Sequence, residues 1–332
     1  MKTDTIFEHI PLVSVAMTTY NGEKYLKEQI DSILNQSYKN IELVICDDCS
    51  KDGTWRILQE YATMDNRIKI VQNSSNLGFI RNFEQAISLC TGDFIALSDQ
   101  DDIWEPWKLE ESLQAIESYD LVCTNSLLVD ENNNSLEYTL KDTLECYSIS
   151  ENQDLLFKHL CFHNFAQGST MLARAQFLKS IKIPVETTYR IFHDHWYALN
   201  ATVLGNGLMY IDKPSIRYRQ HQAQVTVKKE KKEFLRLLTT VHSKSQNDDL
   251  IKNCNASIDL CKNILKLPLI ENKRKFVLEV KKYFECMKNK NWYTFCFFVK
   301  YHDAIYLDNH AFRKTLRIAK RFLGLLIHKI EG

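Results

Sequence analysis

No stretch of 18 or more apolar residues occurs in this chain of 332 residues, so no transmembrane helix is expected. The N-terminus, MKTDTIFEHIPLVSVAM, lacks a basic region leading into an uninterrupted apolar run. Asp4, Glu8 and His9 stand where a secretion signal would be apolar, and the segment reads as unprocessed. There is no internal repeat and no low-complexity segment. The ten cysteines are scattered. Cys46, Cys90 and Cys123 lie in or beside apolar runs and read as buried thiols in a reducing cytoplasm, not as a disulfide framework or a zinc site. The length suits one large domain with an appended part, or two domains.

The net charge of zero hides an asymmetry. Residues 228–332 hold 23 Lys and Arg against 11 Asp and Glu, which leaves 19 against 31 in residues 1–227. A basic tail on an acidic first part suits an anionic surface, phospholipid or nucleic acid. It equally suits several solvated, Lys-rich helix faces.

Short apolar runs rich in β-formers mark strands at Leu12–Thr18, Ile41–Cys46, Arg67–Val71, Asp93–Leu97 and Tyr119–Cys123. Between them, Glu23–Asn35, Thr54–Met64, Gly78–Cys90 and Pro106–Glu117 carry apolar residues at helical spacing. This alternation predicts an α/β fold with a parallel sheet and helices on both faces. Beyond residue 124 the pattern is less regular. Asp130–Ser135 is a polar turn, Gln167–Leu172 reads as a strand and Ile191–Leu204 as a helix. Met209–Ile211 and Ile216–Tyr218 read as two short strands around Pro214. From Lys229 onward the pattern is helical, which places a domain boundary near residue 227.

Ligands of such sheets bind outside the carboxyl ends of the strands. Three polar clusters fall there: Thr18–Gly22, Asp47–Gly53 and Ser98–Asp102. The carboxylates Asp99, Asp101 and Asp102 would repel one another unless neutralised, and a hard divalent cation with oxygen ligands does this. A solvated turn capping the next helix would account for Asp102 alone. The Asp47–Asp48 pair also fits a receiver-type domain, but such a domain has no need of the later cluster.

The stretch VSVAMTTYNGEKYLKEQIDSILNQSYKNIELVICDDCSKDGTWRIL, followed by NLGFIRNFEQAISLCTGDFIALSDQDDIWEPWKLE, closely resembles the family 2 inverting glycosyltransferases of GT-A fold, in the bacterial branch with rhamnosyltransferase-like enzymes. The resemblance covers about residues 12–225. It implies a Rossmann-like GT-A domain at 1–227 that takes a nucleotide-diphosphate sugar, with a C-terminal helical extension at 228–332. By position, Thr18 and Tyr20 match residues lining the nucleobase pocket, and Asp48 matches the acceptor of the pyrimidine N3–H. Asp99-Gln100-Asp101 matches the DxD motif, with Asp101 holding Mn2+ or Mg2+ on the donor diphosphate and Asp99 near the ribose or ligand shell. Asn76 and Arg81 face the same pocket in the family pattern. Gly168 and Ser169 match a segment shaping the sugar pocket. Asp194 matches the catalytic base that takes the acceptor hydroxyl's proton, although it could also cap the helix that follows. His193 and Trp196 match acceptor-site positions. Tyr218-Arg219-Gln220-His221 resembles a YRxH segment in which the His reaches the metal or diphosphate and the Arg neutralises phosphate.

The resemblance implies a dTDP- or UDP-linked donor. It implies a glycan or lipid-linked acceptor of the kind found in cell-envelope polysaccharides such as capsule or lipopolysaccharide. In the tail, Phe312, Leu316, Leu323, Leu326 and Ile330 form one stripe of a basic amphipathic helix, and Trp292–Val299 is aromatic. These suit the inner face of the cell membrane, a homo-oligomer contact, or packing within the chain. Two other functions compete. A nucleotidyltransferase would carry a Gly-rich phosphate loop, which Asn21-Gly22-Glu23-Lys24 matches poorly. A non-catalytic sugar-nucleotide binder would be expected to lack a key carboxylate, yet Asp48, Asp101 and Asp194 are all present. Nucleic acid is not expected as a partner, because the basic excess carries no recognisable motif.

Overall fold

The computed structural model describes residues 10–143, 149, 151–184, 192–221, 244–288 and 300. The boundary near residue 227, the segment Trp292–Val299 and the amphipathic stripe Phe312–Ile330 lie outside the described residues.

Strands β1 (Val13–Thr19), β2 (Ile41–Asp47), β3 (Ile68–Gln72) and β4 (Phe94–Ser98) pair in parallel in the order β3-β2-β1-β4. Every residue of β1 and β2 is buried, because helices cover both sheet faces. That is why the two strands read as continuous rather than alternating apolar runs. The crossovers are helices α1 (Leu26–Leu34), α2 (Thr54–Met64) and α3 (Phe79–Leu89). Leu26, Ile30 and Ile33 of α1 recur at helical spacing and are all 0% exposed. Each buried side chain of this kind contributes about 1.5–3 kcal/mol.

The sheet then becomes mixed. β5 (Ile103–Trp104) is followed by α4 (Lys108–Ile116), β6 (Leu121–Val129), β7 (Ser135–Thr139), β8 (Leu172–Arg174) and β9 (Leu208–Arg219). The order continues β4-β8-β6-β9-β5, and β7 pairs with β6. β8 runs antiparallel to both β4 and β6, whereas β6 and β9 run parallel. Three expectations are corrected here. Gln167–Leu172 is not a strand: Gly168–Thr170 form a single 3-10 turn, with the Thr170 hydroxyl donating to the Gln167 carbonyl at 2.7 Å, and β8 starts only at Leu172. Pro214 does not divide two strands. It lies within the single strand β9, at a register irregularity opposite Asn125, where its missing N–H is tolerated. The strand expected at Tyr119–Cys123 starts at Leu121 and continues to Val129.

Cα proximity divides the chain into two units. The first comprises 1–140, 165–183 and 192–224 and holds the sheet. The second comprises 141–164, 184–191 and 225–332. In the second unit, helices Lys244–Ile264 and Glu271–Lys288 follow one another, and Phe157, Phe162, Phe276 and Tyr283 form an aromatic cluster. Among the described residues no helix is long and apolar enough to cross a membrane. Cys46, Cys90 and Cys123 are free and buried, and burial raises all three thiols. Cys49 stands three residues after Cys46 and is also free.

At the amino ends of the strands, Glu42 is a buried polar anchor. It accepts from the Ser14 hydroxyl (2.5 Å), the Thr91 amide (2.6 Å) and hydroxyl (2.9 Å), and the Lys69 ammonium (2.6 Å). Gly92 allows the close approach here, since a Cβ would lie 2.5 Å from the Leu12 carbonyl oxygen. Burial alone would raise the Glu42 pKa, but the bonds from Lys69, Ser14 and Thr91 outweigh it and pull the carboxyl down to about 2. A depressed carboxyl stabilises the fold fully above its ordinary value of 4.5, and that contribution is lost as pH falls toward 2. Glu42→Gln should therefore cost about 1–3 kcal/mol at neutral pH. The gap in melting temperature between the two proteins should narrow as pH falls below 4.5 toward 2; a constant gap would refute the assignment.

Candidate active site

The loops after β1 and β2 are laced together. The Asn21 amide donates to the Ser50 hydroxyl (2.9 Å), the Lys51 amide to Asn21 Oδ1 (2.8 Å), the Gly22 amide to the Thr54 hydroxyl (2.8 Å) and the Gly53 amide to Glu23 Oε2 (2.6 Å). Asn21 and Cys49 adopt left-handed backbone conformations, with φ of 48° and 63°. Asn is among the residues that tolerate this conformation. Asp47 anchors the bundle from below. It is 0% exposed and accepts from Thr19, Ser50 and Gln72 side chains.

Asp48 faces a different task. Its Oδ1 accepts from the Leu77 amide (2.7 Å) and Asn73 Nδ2 (2.9 Å), and its Oδ2 from the Gly78 amide (2.9 Å). It thus caps α3 from a neighbouring strand, where Gly78 (φ 80°) provides no side-chain cap. A carboxylate has about four acceptor positions, so one on Oδ2 stays open. Asn73 also bonds Asn82, whose amide holds the Cys46 carbonyl, which fixes the carboxylate's surroundings. Thr18 is buried near the end of β1, and Tyr20 is exposed just beyond it.

The loop after β4 carries Asp99–Asp102. Gln100 turns back: its Oε1 accepts from the Tyr20 amide (2.8 Å) and its Nε2 donates to the Tyr20 carbonyl (3.1 Å). It was expected at the nucleotide, and it holds Tyr20 in place. A Cβ at Gly22 would lie 2.1 Å from Gln100 Oε1, so a larger residue there would displace the Gln100 amide. Asp101 Oδ2 lies 2.9 Å from His221 Nε2, which joins the acidic turn to the second residue after β9. The His221 ring is tilted against Tyr25 at 4.9 Å. Asp99 is pushed up to about 7 by burial, then by the charges of Asp101 and Asp194. Asp194 belongs to the helix His193–Val203, so residues far apart in sequence share one electrostatic field.

Asp194 does not cap that helix, whose N-cap is Phe192 without a side-chain bond. Its Oδ2 accepts from the Gly168 amide (3.2 Å) and its Oδ1 from the His195 amide (2.6 Å). Gly168 fits closely, since a Cβ would lie 3.0 Å from His193 Nε2. His193 stacks on Phe83 at 4.3 Å, and burial pulls its imidazole down to about 4, which leaves it neutral. Ser169 is buried and receives a bond from Gln167 Nε2 at 3.0 Å.

Two expected site residues occupy other positions. Trp196 is 3% exposed and its indole N–H donates to the Lys182 carbonyl (3.0 Å), so it packs the interior. Arg219 is 2% exposed, and its guanidinium is engaged behind the acidic turn. Nε donates to the Asp101 carbonyl (3.0 Å), one terminal nitrogen to the Glu131 carbonyl (2.8 Å) and the other to Glu28 Oε2 (2.5 Å). The plane lies over Tyr25 at 4.5 Å. Farther out, Asn76 Oδ1 accepts from the Gly78 amide and Arg81 pairs with Glu84. Sequence reasoning missed Glu28, Glu131 and Tyr25, because no local pattern marks the partners of a buried arginine that lie 88 residues away, as Glu131 does, or 191, as Glu28 does. Among the described residues no set of three or more His, Cys, Asp or Glu side chains forms a metal cage. The Asp101–His221 pair supplies one carboxylate and one imidazole, a donor set that fits an ion completed by substrate phosphate and water.

The family model for glycosyl transferase family 2 matches residues 14–180. EpsE of Bacillus subtilis, a protein classed with the glycosyltransferases, is 46% identical over 125 residues, 36% of this chain and 45% of EpsE. The chain thus spans less than half the length of that relative. An uncharacterized glycosyltransferase of Haemophilus influenzae is 29% identical across 95% of this chain and 98% of its own length. Among solved structures, S. aureus TarS in complex with UDP-GlcNAc is similar with a TM-score of 0.54 at 19% identity, covering 85% of this chain and 93% of that one. The mannosyltransferase PcManGT from Pyrobaculum calidifontis, in complex with GDP-Man and Mn2+, gives 0.52 at 15% identity, covering 93% and 80%. At these identities the two structures speak to the fold, which they share with this chain.

Because Arg219 satisfies two carbonyls and balances Glu28, Arg219→Met should lower stability by about 2–4 kcal/mol. A thermal melt of the variant with no shift would mean that the side chain faces ligand instead.

Proposed function

The chain belongs to glycosyl transferase family 2, and on that premise we propose which chemistry its site performs. It is a glycosyltransferase. In our reading it moves a sugar from a nucleoside-diphosphate donor to a growing cell-surface polysaccharide or lipid-linked acceptor, with inversion at the anomeric carbon. The observation that carries this reading is the convergence of Asp99, Asp101 and Asp194 in one field, with His221 touching Asp101. Residues from the loop after β4, the helix at 193–203 and the segment just beyond β9 meet there, and the Asp48 loop lies on the same carboxyl edge of the sheet.

The open position on Asp48 Oδ2 would accept the base N3–H, with Thr18 and Tyr20 beside the base and Gln100 holding Tyr20. Asn76 and Arg81 would border that pocket. Asp101 and His221 would hold Mn2+ or Mg2+, with Asp99 beside the ribose or the ion's ligand shell. Such an ion, when bound, stabilises the charge that builds on the departing diphosphate. Asp194 would take the proton of the acceptor hydroxyl as that oxygen attacks. The Gly168 and His195 amides fix both of its oxygens, so the base is oriented before the acceptor arrives. Gly168, Ser169 and His193 would shape the adjoining sugar pocket. Arg219 supports the acidic turn from behind, in place of a direct phosphate contact.

The donor is dTDP- or UDP-linked in this reading, and rhamnose, glucose and galactose are the candidate sugars. Residues 1–227 form the catalytic part. The basic region 228–332 meets the inner face of the membrane or a second copy of the chain.

Calorimetric titration with UDP, dTDP and GDP, each with and without manganese, tests the donor site. UDP or dTDP should bind only with manganese, and Asp101→Ala should weaken that binding at least tenfold. A folded protein that binds no nucleoside diphosphate would overturn the proposal.

A further inference from the structure

Two amides of different origin hold Asp194. The His195 amide belongs to the next residue of the same helix, so it moves with the carboxylate. The Gly168 amide lies 26 residues away in the chain and ties Asp194 Oδ2 to another part of the unit. The approach is close. A Cβ on Gly168 would lie 3.0 Å from His193 Nε2 and 3.5 Å from Asp194 Cβ, so the Gly168 backbone packs against the first turn of that helix. The placement of the Asp194 carboxylate therefore depends on the placement of the Gly168 turn.

That turn is tied on two sides. Toward β4, the Gly168 carbonyl accepts from the Met171 amide (2.9 Å), and the Met171 carbonyl accepts from the Leu97 amide (3.2 Å). Toward β6, the tie is the side chain of Gln167. Its Oε1 accepts from the Ser126 hydroxyl of β6 at 2.5 Å, and its Nε2 donates to the Ser169 hydroxyl at 3.0 Å. Ser126 and Ser169 are each 0% exposed, and Gln167 is half-buried. Gln167 precedes the turn but makes no side-chain bond to its amides. Both ends of its carboxamide go instead to buried hydroxyls, which lose stability when left unpaired. The clamp so formed spans Gly168. It is also neutral, so it braces the turn without adding charge to the field of the carboxylates.

We propose that Gln167 is a positioning residue for the base: its side-chain amide clamps the turn Gly168–Thr170 to β6 and so holds the Gly168 N–H on Asp194 Oδ2. The inference rests on the proposed role of Asp194.

The test uses the full chain and the variants Gln167→Met, which keeps the side-chain length and removes both bonds, and Ser126→Ala. Amide hydrogen exchange reads the clamp without substrate. Exchange at Gly168 should rise at least tenfold in Gln167→Met, while exchange at Val15 of β1 stays within twofold. No acceleration at Gly168, or equal acceleration at both amides, would overturn the inference. In turnover, Gln167→Met should lower kcat about tenfold with the donor KM within twofold. Ser126→Ala should lower kcat less, and adding it to Gln167→Met should cost no more than a further twofold, because both act on one clamp. Losses that multiply in the double variant, or a donor KM that rises as kcat falls, would overturn the clamp. If Gln167→Met does not fold, Ser126→Ala carries the test: faster exchange at Gly168 supports the clamp, and unchanged exchange overturns it. A parent protein without turnover strikes the proposed function instead, and exchange at Gly168 then decides the clamp alone.

Discussion

Four carboxylates share one field at the carboxyl edge of the sheet, and their mutual repulsion is the constraint around which the surrounding structure is arranged. Asp99 feels Asp101 and Asp194, and Asp102 feels Asp99 and Asp101. In water such charges would spread apart. Here Asp101, Asp102 and Asp194 are each held by donors. Backbone amides of Gly168 and His195 bond Asp194, the Arg219 amide bonds Asp102, and the His221 ring bonds Asp101. The Arg219 guanidinium places a fixed positive charge behind the turn, with Glu28 and Tyr25 around it. Carboxylates gathered this closely suit a ligand that brings a cation.

The fold delivers these groups through topology. The parallel order β3-β2-β1-β4 places three loops on one edge. β9, parallel to β6, then carries Arg219 and His221 to the same edge from the far side of the sheet. The lacing of the β1 and β2 loops and the Gln100 bonds to Tyr20 make those loops part of the scaffold. A preorganised site of this kind loses little entropy when substrate binds.

Much of this was legible in the sequence. The parallel half of the sheet declares itself through apolar runs and helical spacing, and the polar clusters after β1, β2 and β4 are visible as clusters. The mixed half was less legible. Gly168–Thr170 has strand-like residues but closes as a turn, because the Thr170 hydroxyl satisfies the Gln167 carbonyl locally. Pro214 looks like a break, yet a register irregularity absorbs its missing N–H. Among the candidate site residues, motif position cannot separate a surface-facing arginine from a buried one. The burial of Arg219 and Trp196 depends on partners distant in sequence, which only the folded chain brings together.

The most direct test of the account compares wild-type protein with Asp194→Asn on a panel of dTDP- and UDP-sugars with a glycan acceptor. Both the release of nucleoside diphosphate and the binding of donor are followed. Turnover should fall at least a thousandfold with donor affinity within about threefold, since Asn keeps the shape and cannot take the proton. Turnover by Asp194→Asn at the wild-type rate would contradict the role of this carboxylate and with it the arrangement of the site around it.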